Sequence, residues 1–218
     1  MTSADEALSQ LRTRILTGSL AAGSKLHQEE IATQLGMSRI PVRDAIRTLA
    51  SEGLVRLEPR RSAVVTPVSL DDLAELYELR GAVEPLASAL AVPKLAAADL
   101  LRMRGLLRQM NETQDPMEWL EANDRFHACL FEKSGRPRMI ALLRQAREQT
   151  RRYTGIRMVD GRSDLDIEHH LILAAAERRD PQTVEALVRA HLISAFTTLK
   201  KELGDLSQNS SPNGARNT

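Results

Sequence analysis

Asn123 and His127 stand four residues apart, so a helix through them puts both on one face, while His169 and His191 arrive from two later segments. Three neutral imidazoles meeting inside a helical bundle make a site for a divalent transition ion. The same placement suits histidines that are simply hydrogen-bonded in a core or on a surface, and spacing alone does not separate the two readings. A second chemical pattern lies in MSRIPVRDAIRTLASEGLVRLEPRRSAVV, residues 37–65, where Arg39, Arg43 and Arg47 recur every four residues and Arg60 and Arg61 follow in a hairpin. An arginine fork matches the O6/N7 pair of guanine in the DNA major groove, each good contact giving about 1–3 kcal/mol of discrimination. Arg60 and Arg61 would meet phosphates or the minor groove, adding affinity that salt weakens.

The elements that must position these residues are mostly helices. Leu8, Leu11, Ile15 and Leu16 keep helical spacing until TGSLAAGSKL breaks it, and QEEIATQLG gives a short second helix with Ile31 and Leu35 inward and Gly36 at its end. Ser38 can cap a third helix, with Pro41 in its first turn and Val42, Ile46 and Leu49 on a stripe separate from the arginines. LVRLEP and SAVVTPV then read as two short strands, completing a winged helix-turn-helix. From Ser69, whose spacing to Asp72 is that of a capping box, six helices are expected at about 69–92, 95–113, 116–134, 137–158, 164–178 and 181–203. Pro93, Asp115-Pro116, Gly135, VDGRSD and Asp180-Pro181 supply the breaks. The expected organisation is mainly α: a DNA-binding domain over 1–67, an all-helical bundle of six or seven helices over 69–203, and a disordered tail over 204–218.

Composition narrows the function classes. The 218-residue chain is 42% hydrophobic, with net charge +1, so nucleic-acid binding is not announced by overall charge. Residues 1–68, however, carry nine Lys plus Arg against seven acids, and the rest carry 21 against 22, which puts the positive excess in the N-terminal third. The single Cys129, in FHACLF, reads as a small buried apolar group and fits a reducing cytoplasm. No apolar run approaches the roughly 20 residues that span a bilayer, and no secretory pattern opens the chain. A cytoplasmic protein without a membrane segment is expected.

The stretch LRTRILTGSLAAGSKLHQEEIATQLGMSRIPVRDAIRTLASEGLVRLEPRRSAVVTPVS closely resembles the DNA-binding domain of the GntR family of bacterial transcription regulators, above all in the SR.PVR.A pattern and in GLV. The resemblance implies a DNA-contacting set of Ser38, Arg39, Arg43, Arg47, Arg60 and Arg61. Ser62 stands where the family has glycine at the wing tip, and Val64 replaces a common aromatic, so the wing departs from the pattern while the third helix keeps it. LDDLAELYELRGAVEPLASALA, EANDRFHACLFEKSGRPRM, EHHLILAAAERRDP and LVRAHL resemble successive landmarks of the FCD effector domain of the FadR-like branch, and six helices would place the chain in the shorter, VanR-like subgroup.

Many FCD domains bind a metal through Asp or Asn and three His, which carries over to Asn123, His127, His169 and His191. Such ligands are compatible with Zn, Ni, Fe or Mn. Asp124 lies three residues from His127 where the family spacing is four, and His170 is rotated by about 100° from His169. Glu168 reads equally as support for a ligand histidine or as a surface charge. The arginine of LR...E faces the effector pocket in resembling domains, which makes Arg80 the candidate clamp for a carboxylate, with Glu84 its ion-pair partner. The plain alternative is an exposed i,i+4 pair worth about 0.3–0.5 kcal/mol.

The resemblance therefore implies a homodimeric regulator, usually a repressor, on a palindromic double-stranded operator, responsive to a small organic acid. Two other readings compete: a regulator whose metal is itself the signal, and a metal-dependent enzyme. The enzyme reading lacks a His-Glu-x-x-His or comparable pattern placing a general base beside the ligands.

Overall fold

Two apolar clusters organise the chain in its computed structural model, which describes residues 2–58, 63–157 and 165–209. The first helix, α1 (Ser3–Leu16), starts at a reciprocal cap in which Thr2 Oγ1 accepts from Asp5 N and Asp5 Oδ2 accepts from Thr2 N. It buries Ala7, Leu11, Ile15 and Leu16 against α3 (Arg39–Ser51), which contributes Val42, Ala45, Ile46 and Leu49. Between them, α2 (Gln28–Leu35) ends at Gly36, whose φ of 64° is left-handed and turns the chain toward α3.

The sheet is larger than expected. β2 (Val55–Leu57) and β3 (Ala63–Val65) form the anticipated hairpin, but β1 (Lys25–Leu26) pairs antiparallel with β3 as well, giving the order β1-β3-β2. A two-residue strand is too short to leave a period-2 signal in the sequence. Arg60, Arg61 and Ser62 lie outside the described residues.

The second cluster is built by α4 (Leu70–Ala91), α5 (Ala97–Glu112), α6 (Pro116–Glu132), α7 (Pro137–Arg157), α8 (Leu165–Glu177) and α9 (Pro181–Asn209), around Phe126, Trp119, Met103, Met110 and Tyr153. A 3-10 turn, Val92–Lys94, follows α4. Only half of the capping box at Ser69 forms. Its hydroxyl accepts from Asp72 N, but the Asp72 carboxylate turns to Arg152 and Tyr153. The last helix also departs from expectation, running on to Asn209 past the boundary at 203, while 210–218 lie outside the described residues.

α4 packs along α9 and also against α6 and α7. Pro85, buried within α4, has no N–H to give to the Gly81 carbonyl one turn back. Arg189 of α9 donates to that carbonyl instead, at 3.2 Å, so the proline creates an inter-helix bond. Among the described residues no helix is long and apolar enough to cross a membrane.

Candidate functional site

The burial pattern of α3 separates its two tasks. Val42, Ala45, Ile46 and Leu49 face the core, and Arg39, Arg43 and Arg47 are exposed along the opposite stripe. Ser38 occupies the N-cap position, but its hydroxyl makes no capping hydrogen bond. A groove of about 910 Å³ runs between α3, β1 and the wing, lined by Lys25, His27, Gln28, Arg39, Ile40, Arg43, Arg47 and Leu57 among others. Asp44 lies 3.6 Å from Arg43 and 4.0 Å from Arg47. Exposed pairs at those separations contribute little, so the guanidiniums remain available to DNA. Ile40, 62% exposed at the start of α3, was not among the expected contacts. A large aliphatic side chain there suits a thymine methyl.

In the helical domain the candidate ligands come together. Asn123 and His127 project from α6, His169 from α8 and His191 from α9, with all three imidazoles buried. His127 Nε2 lies 3.1 Å from His169 Nε2, which lies 3.0 Å from Asn123 Oδ1. Ligand atoms of the three histidines fall within 4.8 Å of one another. The donor chemistry fits a cation. Glu168 Oε2 accepts from His191 Nδ1 at 2.7 Å, which leaves the His191 Nε2 lone pair for the cluster. Burial, then the positive charge of Arg147, holds the His127 pKa well below its ordinary value, which favours the neutral, ligand-competent ring. Two nitrogens 3.1 Å apart are also close to the separation of right-angled ligands, about 3.0 Å when each is about 2.1 Å from a shared ion.

Asp124, the alternative to Asn123, faces elsewhere. Its carboxylate takes Arg147 Nη2 at 3.0 Å and lies 3.3 Å from Arg151 Nε. His170 is exposed.

Arg80 and Glu84 form a buried pair, not the exposed one that sequence left open. Arg80 is 5% and Glu84 1% exposed, with Arg80 Nε donating to Glu84 Oε2 at 3.0 Å. Arg147 Nη1 donates to Glu84 Oε1 at 2.8 Å, and the same oxygen lies 3.5 Å from His127 Nδ1. Burial pushes the Glu84 carboxyl up, but Arg80 and Arg147 together outweigh it and keep its pKa below the usual value. Glu84 engages only the Nε of Arg80, and the guanidinium, 4.9 Å from the Tyr77 ring centre, lines a cavity of about 30 Å³ beside the histidines. Tyr77, Trp119, Asn123, Asp124, Arg147, Thr150 and Arg151 share its wall. Arg147 and Arg151 escaped sequence reasoning because α7 carries arginines at 144, 147, 151 and 152 and looks like a solvated face.

A winged helix presenting an arginine-lined groove, joined to an α-helical domain, defines a DNA-binding transcription regulator. The match to the family of bacterial regulatory proteins named for GntR covers residues 3–65, and the match to the FCD domain covers 75–194. The chain belongs to the GntR family, in the branch with an FCD domain, and is not an enzyme. It is 28% identical over 180 residues to the HTH-type transcriptional regulator McbR of Escherichia coli K12, covering 79% of this chain and 81% of that one. It is 30% identical over 196 residues to an HTH-type regulator of Streptomyces ambofaciens, covering 88% and 83%. The solved structure of E. coli McbR/YncC superposes with a TM-score of 0.78 at 23% identity, over 93% of this chain and 99% of that chain, which shows the shared fold. Regulators of this family bind DNA operators and commonly dimerise.

Proposed function

We propose that the chain is a cytoplasmic, homodimeric repressor whose affinity for a palindromic operator is set by a small carboxylate bound beside a divalent transition ion. Ser38, Arg39, Arg43 and Arg47, with Arg60 and Arg61 from the wing, make the DNA contacts. Asn123, His127, His169 and His191 hold the ion, which when bound supplies a +2 charge and open positions for an anionic ligand. The observation that carries this reading is the convergence of three imidazoles and Asn123 at about 3 Å spacing next to a cavity lined by Arg80.

Charge supports the choice of an anion. The charged side chains lining the cavity are Arg80, Arg147 and Arg151 against Asp124, before the ion is counted, while Glu84 and Glu148 pair with these arginines from outside the lining. Asn123 leaves the ion's charge uncompensated where an Asp would offset one unit. Size supports a small ligand or a cavity that widens, because about 30 Å³ admits roughly two water-sized groups. The six-helix count among the described residues supports the VanR-like subgroup.

Metal analysis of protein purified without chelators, followed by a thermal-shift screen of small carboxylic acids on the metal-loaded protein, tests the proposal. Near-stoichiometric metal and a stabilising acid that also releases operator DNA are expected. Metal that alone controls DNA binding, with no acid adding to it, would favour the ion as the signal.

A further inference from the structure

α7 serves the cavity and the recognition helix with different faces. Arg147, Thr150, Arg151 and Thr154, spaced three and four apart, line the cavity. Glu148, Gln149 and Arg152 are rotated from them by roughly 150° on average, at 100° per residue, and they meet the winged helix. Arg152 Nη1 donates to the carbonyl of Gly53 at 2.9 Å, immediately beyond α3 and its C-cap residue Glu52. Arg12 of α1 donates to Glu52 Oε1 at 2.5 Å and stands 3.6 Å from Glu148 Oε1, tying α7 through α1 to the same helix end. Gln149 closes over Gly53, where a Cβ would come within 2.8 Å of its amide nitrogen. Gly53 also has a left-handed φ of 78°, so any larger residue there is strained.

These contacts are built into the fold at some cost. Arg152 is 6% exposed and is fixed by Asp72 and Tyr153 as well as by Gly53. A half-buried surface pair would not need such support. A side chain anchored this firmly in the helical domain and bonded to the end of the recognition helix makes α7 a strut between them.

We infer that α7 is the coupling element of the protein: its Arg147–Arg151 face senses what fills the cavity, and its Glu148–Arg152 face carries that state to the C-terminal end of α3. α7 supplies four of the residues lining the cavity, which is too small for most acids as it stands, so a ligand that widens it on that side displaces α7. A packed helix moves as a unit, and the shift is delivered at Gly53 and Glu52. This inference rests on the cavity being the ligand site, and it adds the route by which occupancy reaches DNA.

The chain carries its own pair of reporters. Trp119 is the only tryptophan and lies in the helical domain, while residues 1–68 contain no aromatic residue, so Trp119 fluorescence reports the helical domain and far-UV ellipticity reports both. In the wild-type full chain the two thermal transitions are expected to coincide, and Zn²⁺, used as the probe, should move both equally. In Arg12→Ala/Arg152→Ala an earlier ellipticity transition should separate from the fluorescence transition, and Zn²⁺ should shift only the latter. Arg12→Ala/Gln149→Ala, which leaves the Asp72–Arg152–Tyr153 contacts in place, should show the same separation if loss of Arg152 prevents folding. Transitions that remain coincident and move together in both variants, or that are already separate in the wild type, would overturn the coupling role. If Zn²⁺ moves neither transition in the wild type, the metal reading fails, and the separation in the variants still decides the role of α7.

Discussion

Removing the Glu84 carboxylate should be among the most damaging single changes in the helical domain. The side chain is 1% exposed and holds two guanidiniums, Arg80 at 3.0 Å and Arg147 at 2.8 Å. Glu84→Ala takes from buried Arg80 its carboxylate and from Arg147 one of two, and breaking a buried pair from one side costs about 3–5 kcal/mol. For a chain of this size each kcal/mol moves the melting temperature by about 2–4 °C, so a fall of roughly 6–20 °C follows. Removing both partners should cost less than the sum of the single losses. Asp124 still accepts from Arg147, so Arg80→Ala/Glu84→Ala leaves no isolated charge, and a coupling of about 0.5–3 kcal/mol is expected in a double-mutant cycle with the two single alanine variants. Thermal unfolding followed by Trp119 fluorescence, with each variant checked for an intact far-UV spectrum, reads the effect. A loss below about 1 kcal/mol for Glu84→Ala would place the pair in solvent, where such i,i+4 contacts are worth about 0.3–0.5 kcal/mol, and would refute the buried network on which the cavity depends.

Three further outcomes are expected. His127→Ala should abolish metal uptake measured by elemental analysis and remove the Zn²⁺-dependent rise in melting temperature, since an ion on all three histidines would tie α6, α8 and α9 together. Arg80→Ala should retain metal and operator binding but respond to the effector only at far higher concentration, because losing one partner of a buried charged contact costs about 2–5 kcal/mol; an unchanged dose response would move the clamp elsewhere. Asp180 accepts from Thr183 N and Thr183 Oγ1 at the start of α9, which lowers its pKa, so it stabilises the fold above its unfolded pKa of about 3.9 and that contribution is lost as pH falls through the folded value. Asp180→Asn should lower stability in the neutral region and flatten the acid limb below about pH 4, where the two proteins converge.

The helices were legible because punctuation and periodicity agreed. Asp115-Pro116, Gly135 and Asp180-Pro181 bracket helices whose observed ends fall within a few residues of expectation. The extension of α9 to Asn209 was not legible, because GDLSQN offers one apolar residue, Leu206, among Gly and polar residues and so reads as the start of a tail. Histidine positions pointed toward a cluster, but only the fold could bring α6, α8 and α9 within 4.8 Å at three ring nitrogens. The arginines of α7 carried no signal at all. Arg147 and Arg152 are buried because Glu84, Asp124, Asp72 and Gly53 meet them there, and those partners are 23 to 99 residues distant in sequence.

Selection of bound duplexes from a random-sequence DNA library, repeated with wild type and Arg43→Ala, tests the reading of α3 most directly. The wild type should enrich one inverted repeat, with half-sites matching two recognition helices, and Arg43→Ala should relax preference at one symmetry-related position while keeping the rest of the motif. Enrichment of no motif by the wild type, or an identical motif from Arg43→Ala with affinity lowered equally on all sequences, would contradict base reading by the exposed arginine stripe.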